Sequence, residues 1–142
     1  MSDRVIAACK ACYEANLGDC SAFVRAVAGR LGVVLNGNAD QIVDTIRTSP
    51  EWQPLANGVA AAQSAKDGNL VIGGLKGAEQ AVPNAHGHVV VVVDGPLAHD
   101  AYPTAFWGSL GGQPGQDQTL NWAWTAADRD RVSYARHALA PA

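Results

Sequence analysis

Cys20 stands in the stretch "GDCSAFVRAV", residues 18–27, where a polar loop turns into an apolar periodic run. A thiol at a helix start faces unpaired N–H groups and the positive end of the helix dipole. Both stabilise a thiolate and lower the thiol pKa. A loop-to-helix junction also leaves the sulfur within reach of a substrate. Cys20 is therefore a candidate nucleophile, set beside its plainer reading as a small core residue, because free cysteine is among the most buried residue types.

A nucleophilic thiol needs a base, and the histidines are His86, His88, His99 and His137. His88 opens the most apolar run of the chain, "HVVVVVDG". A strand end holds a side chain rigidly while leaving it at the sheet rim. His86 shares its face if the strand extends two residues further back. H-x-H on one strand is also a metal-ligand spacing, but a zinc site needs one or two more ligands. Only Cys20 or His137 could add them, by coincidence of the fold, so no metal and no cofactor is expected. The plain alternative for His88 is a satisfied strand-end histidine. Cys followed much later by His is the chain order of papain-like thiol enzymes.

The elements that must position this pair follow from periodicity. Val5, Ile6, Cys9, Cys12 and Tyr13 fall at helical spacing over 3–16. Cys9 and Cys12 match C-x-x-C, a redox or zinc pattern, but no second pair and no preceding strand accompany them. Small buried side chains are the expected reading. A second, more apolar helix runs from Cys20 to Leu31, closed by Gly32. Asn38 is a plausible cap for a third near 39–47, with Ile42, Val43 and Ile46 inward. "GVAAAQSAKDG" makes a short fourth helix ending at Gly68. The pattern then turns β-branched: "NLVIGGL", "HVVVVVDG" and "TAFWGSL" read as strands. "LNWAWT" alternates, with Leu120, Trp122 and Trp124 on one face, and "RVSYARHAL" is read as a last strand. "GGQPGQDQ" reads as a flexible loop and "DRDR", 128–131, as a solvated, self-paired turn. Helices first and strands after predict an α+β fold with a mostly antiparallel sheet.

The bulk properties exclude other classes. A chain of 142 residues is expected to form one domain over 1–142. A net charge of −3 offers no basic footprint for nucleic acid. No window approaches 18 apolar residues, so no membrane partner is expected. No signal peptide is visible. The protein is expected to be made in the cytoplasm and moved, if at all, by other machinery. Three cysteines, none after Cys20, do not form a disulfide framework.

"DCSAFVRAVAGRLGV", "GNADQIVDTI", "NLVIGGLKG", "GHVVVVVDGPL", "YPTAFWGSLGG" and "DRDRVSYARHAL" together resemble the first family of type VI secretion amidase effectors, small NlpC/P60-like cysteine peptidases. The likeness runs through nearly the whole chain, in order. It implies a papain-like NlpC/P60 fold and hydrolysis of the γ-D-glutamyl–meso-diaminopimelate amide of peptidoglycan stems. It implies Cys20 as nucleophile and His88, rather than His86, as base. The implied partners are peptidoglycan, a type VI secretion apparatus that delivers the protein into the periplasm of another Gram-negative cell, and a cognate immunity protein.

Departures from the family pattern lie around "AFWGS". The group that orients the histidine is expected there, and Trp107 stands where a cysteine can occur. The Trp107 carbonyl, another group such as Ser109, or a bare Cys–His dyad remain open. His86 also stands where an aromatic residue is expected and could contact substrate. Asp19 either caps the helix or binds a substrate amine, and Ser21 has a similar substrate role. Two other functions share these residues: a thiol acyltransferase on the same fold, and an inactive cell-wall-binding module.

Overall fold

The computed structural model describes residues 2–141. Helix α1 (Ser2–Tyr13) turns Val5, Ala8, Cys9 and Cys12 into the core at a spacing of three and four. Both of its thiols are buried and free. Burial, and then the neighbouring Cys12, push the Cys9 thiol far above its ordinary pKa. In α2 (Cys20–Arg30), Phe23, Val24, Val27 and Ala28 are wholly enclosed. Its C-terminus is a Schellman turn: Gly32 takes a φ of 79°, and the Val33 N–H donates back to Ala28 O at 2.8 Å. Helix α3 (Ala39–Thr48) opens with a capping box. The Asn38 carboxamide accepts the Gln41 N–H at 2.9 Å, and the Gln41 side chain accepts the Asn38 N–H at 2.9 Å. Helix α4 (Gly58–Lys66) is capped by Asn57.

Six strands form one antiparallel sheet: β1 (Gln53–Leu55), β2 (Leu70–Leu75), β3 (His88–Val92), β4 (Thr104–Trp107), β5 (Gly115–Thr119) and β6 (Ser133–His137). Their spatial order is β1-β6-β2-β3-β4-β5. The valine run of β3 explains the layering. Val89, Val91 and Val93 pack toward α1, α2 and α3, while Val90 and Val92 pack on the opposite face. A second core covers that face, built from Ala61 and Ala65 of α4 with Tyr102, Leu120, Trp124 and Tyr134. A strand buried on both faces needs no polar alternation.

The structure departs from the sequence expectations at the sheet edges. "GGQPGQDQ" is not simply a loop, because Gly115–Thr119 forms β5 along β4. Its middle residues are exposed and polar, and it is held by backbone pairing, which leaves no hydrophobic period to read. Likewise β1 is an exposed three-residue edge containing Pro54, paired to β6. "LNWAWT" is no strand: residues 120–122 form a 3-10 turn. Leu120 and Trp124 point inward, while Trp122 is 72% exposed. "DRDR" does pair Asp128 with Arg131, at 3.4 Å. Asp128 is nevertheless buried and accepts the Ala81 N–H at 2.8 Å, and Asp130 accepts the Tyr102 hydroxyl at 2.6 Å. No helix among the described residues is long and apolar enough to cross a membrane.

Candidate active site

Cys20 is the first residue of α2, and Asp19 is the N-cap with extended backbone (φ −152°, ψ 111°). One Asp19 carboxylate oxygen accepts three hydrogen bonds: the Ser21 N–H at 3.0 Å, the Ala22 N–H at 3.1 Å and the Ser21 hydroxyl at 2.7 Å. Partial burial alone would raise the Asp19 pKa. The bonds from Ser21 and Ala22, helped by Arg25, outweigh it and hold the carboxyl below its usual range. The cap thus stays charged wherever ordinary carboxylates do. Asp19→Ala should lose about 1 kcal/mol of stability. Asp19→Asn, which keeps an acceptor oxygen, should lose only a few tenths in the same denaturant melt.

The Cys20 side chain lines a groove and is nearly buried. Its thiol donates to Gly87 O at a sulfur–oxygen distance of 3.9 Å. Burial is the largest influence and raises the thiol pKa. The Val89 N–H opposes it, while the Asp19 charge adds to it. The helix start alone suggests a lowered pKa, but desolvation outweighs the backbone N–H groups, and the sulfur rests as a protonated thiol.

His88 is the first residue of β3, opposite Leu75 of β2. The backbone reaches it through Gly87, packed against the first turn of α3. A methyl group on Gly87 would meet the Asp40 carboxylate, so only glycine passes here. That carboxylate accepts the Gly77 N–H at 3.0 Å, fastening the start of the 76–87 segment as well. The His88 ring stands edge-on to two indoles. Trp124 is 4.9 Å away between centroids at 67°, and Trp107 is 6.5 Å away at 86°. Loss of water lowers the His88 pKa to about 4. The imidazole therefore rests neutral at pH 7.

Cys20 and His88 line one open groove of 480 Å³. Asp19, Ser21, His86 and Ser109 line the same groove. His86 is exposed and lies before the strand, so it does not share the His88 strand face. Its N–H donates to the Asn84 side chain at 3.1 Å. Trp107 is buried, and its indole N–H donates to Gln113 O at 3.0 Å, away from the imidazole. The Ser109 N–H donates to Leu17 O at 2.9 Å, which ties the end of β4 to the loop before α2. Among the described residues, no hydrogen bond from Trp107, Ser109 or any other group reaches a His88 ring nitrogen, and no His/Cys/Asp/Glu cluster is arranged to hold a metal. Sequence reasoning assigned no site role to the groove residues Asp40 and Asp128. Asp40 fell unremarked at the start of the third helix, and Asp128 in the turn read as solvated and self-paired. Trp124 read as one of an alternating set, and only its approach to His88 marks it.

The class so defined is an α+β protein whose helical layer and antiparallel sheet meet at a groove bearing a thiol and an imidazole. No protein-family model matches the sequence. The chain is 44% identical, over 129 residues, to the peptidoglycan amidase Tse1 of Pseudomonas aeruginosa. The aligned region covers 88% of this chain and 79% of that protein. The chain belongs to the type VI secretion amidase effector family.

Proposed function

We propose that this chain is a cysteine amidase of peptidoglycan that cleaves the γ-D-glutamyl–meso-diaminopimelate bond of stem peptides. The observation that carries the reading is the meeting of Cys20 and His88 in one groove, in a chain 44% identical to a peptidoglycan amidase. The fold it supports is papain-like and NlpC/P60-like, with 1–142 as one catalytic domain.

Chemistry starts from a neutral thiol and a neutral imidazole. As the sulfur attacks the γ-carbonyl carbon of D-glutamate, His88 takes the thiol proton. Forming the ion pair in one step suits these pKa values, because each new charge stabilises the other. The carbonyl oxygen gains the negative charge and turns toward the Cys20 N–H. Asp19 occupies the N–H groups of Ser21 and Ala22 and leaves that donor for the oxyanion. Collapse breaks the C–N bond, and the imidazolium protonates the departing diaminopimelate amine. A thioester remains. His88 then deprotonates water, hydroxide attacks the thioester carbon, and the thiol leaves with its proton restored. Asp19 and Ser21 are also placed where they can meet a polar substrate group, and His86 lies further along the groove wall.

The biological setting belongs to the same proposal. A type VI apparatus delivers the protein to the periplasm of a recipient cell. A cognate immunity protein protects the producer by blocking the groove.

The test is digestion of purified diaminopimelate-type muropeptides, read by mass spectrometry. Fragments ending in free D-glutamate are expected. An amine adduct at that carbonyl would make the protein a thiol acyltransferase. Retention on sacculi without any cleavage would make it a wall-binding module.

A further inference from the structure

His88 is the proposed base, yet none of the described polar groups orients its ring. What does touch it is aromatic. Trp124 lies 4.9 Å from the imidazole at 67°, the shorter of the two indole contacts, and is only 7% exposed. Such edge-to-face contacts fix ring orientation as well as excluding water.

Trp124 also has an unusual feature of its own. Its indole N–H is buried and has no hydrogen-bond partner. A buried donor without an acceptor is destabilising and calls for a reason. Phenylalanine would present a ring edge without that cost, so Trp124→Phe separates the ring from its N–H. The neighbouring Trp107 differs, because its N–H is satisfied by Gln113 O. Trp124 is also held at both ends. Leu120 is wholly buried behind it in the same apolar cluster, and Asp128, four residues on, is bonded to Ala81. The ring is thus pinned between the second core and the groove.

We propose that Trp124 is a positioning residue: its ring, with Trp107 as a second wall, holds the His88 imidazole toward the groove in place of a hydrogen-bonded third group. This rests on the reading of His88 as the base. An aromatic hold has one chemical consequence that a carboxylate partner lacks. It orients the ring without adding a negative charge, so the imidazole stays a weak base at rest, in keeping with its lowered pKa. The titratable groups sharing the groove with His88 are the cap Asp19 and Cys20 at the start of α2, Asp40 from α3, His86 from its own loop and Asp128 beyond Trp124. β2 and β4 contribute none to the groove.

The test compares Trp124→Phe, Trp124→Leu and Trp124→Ala in the full chain. It uses two readouts, the NMR titration of the His88 ring and kcat on muropeptides. In wild type the ring should titrate near pH 4. In Trp124→Ala, water reaches the ring and its titration should move up toward the ordinary 6.5. Trp124→Leu keeps apolar bulk but loses the edge contact. Its kcat should fall by about 100-fold, the cost of a misplaced base, with KM little changed. Trp124→Phe should recover most of that loss. Unmoved His88 titration in all three variants, or equal kcat in Phe and Leu variants, would overturn the proposal. If Trp124→Ala does not fold, the Phe and Leu pair still decides. The NMR arm needs no turnover, so a wild type that cuts nothing sinks the amidase reading while leaving the hold on His88 testable.

Discussion

Cys20→Ala should abolish muropeptide cleavage, with kcat falling on the order of 10⁶-fold while the protein stays folded. The loss is this large because Cys20 is the thiol proposed to form the acyl intermediate, and no other described thiol lines the groove. Cys9 and Cys12 are buried in α1 and are absent from the groove lining. The structural cost is small. One sulfur is removed from a nearly enclosed site, its only acceptor contact is a long one to Gly87 O, and alanine suits the first turn of a helix. A destabilisation of about 1 kcal/mol is expected. Cys20→Ser should be nearly as inactive. A hydroxyl gives up its proton far less readily than a thiol, and a base with a pKa near 4 is a poor acceptor for it. Paired rate and melting measurements separate chemistry from folding. Cleavage by Cys20→Ala within tenfold of wild type would remove the thiol from the reaction.

The second large effect belongs to His88 and shows in stability as well as rate. Its pKa is about 4 in the folded protein and near 6.5 in an unfolded chain. Between these values the unfolded state binds more protons, so stability rises with pH across that interval. The contribution is fully present above about pH 6.5 and is lost as pH falls toward 4. Its upper bound is about 3–4 kcal/mol, reduced by the water that the half-buried ring still meets. Glu79, held at about 2 chiefly by its bond to Arg47, loses its own contribution as pH falls from about 4.5 toward 2, which touches the foot of this window but is common to wild type and His88→Asn and cancels between them. Denaturant melts at pH 7 and pH 4.5 should show the wild type losing stability and His88→Asn losing much less. The same variant should lose turnover by at least 10⁴-fold. In the wild type, kcat/KM should rise with pH through about 4 and level off by neutrality, since the base must be unprotonated. Equal pH slopes for the two proteins would show that burial does not depress the His88 pKa.

Much of the architecture was legible because it rests on local rules. Cys20 could be placed at a helix start from the change of polarity at "GDC", and Asn38 as a cap from its place before an apolar period. The valine run of β3 announced a buried strand, and with it the position of His88. What stayed hidden was held by contacts rather than by pattern. β5 is polar and edge-paired, so no periodicity reports it. The 3-10 turn at residues 120–122 turns an apparent strand alternation into two inward side chains and one exposed indole. Asp40 and Asp128 gave no signal, since a carboxylate bonded to a distant N–H looks in sequence like any solvated one.

The sequence by itself determined the candidate pair Cys20 and His88, the α+β order that carries them and the family to which the chain belongs. Those depend on residue type and on spacing along the chain. Only the tertiary structure decided the protonation state of that pair and what surrounds it. Burial, which no single stretch encodes, outweighs the helix start at Cys20 and leaves a neutral thiol. Trp124 lies 36 residues from His88 in the chain, and only the folding of the second core over the sheet brings their rings to 4.9 Å.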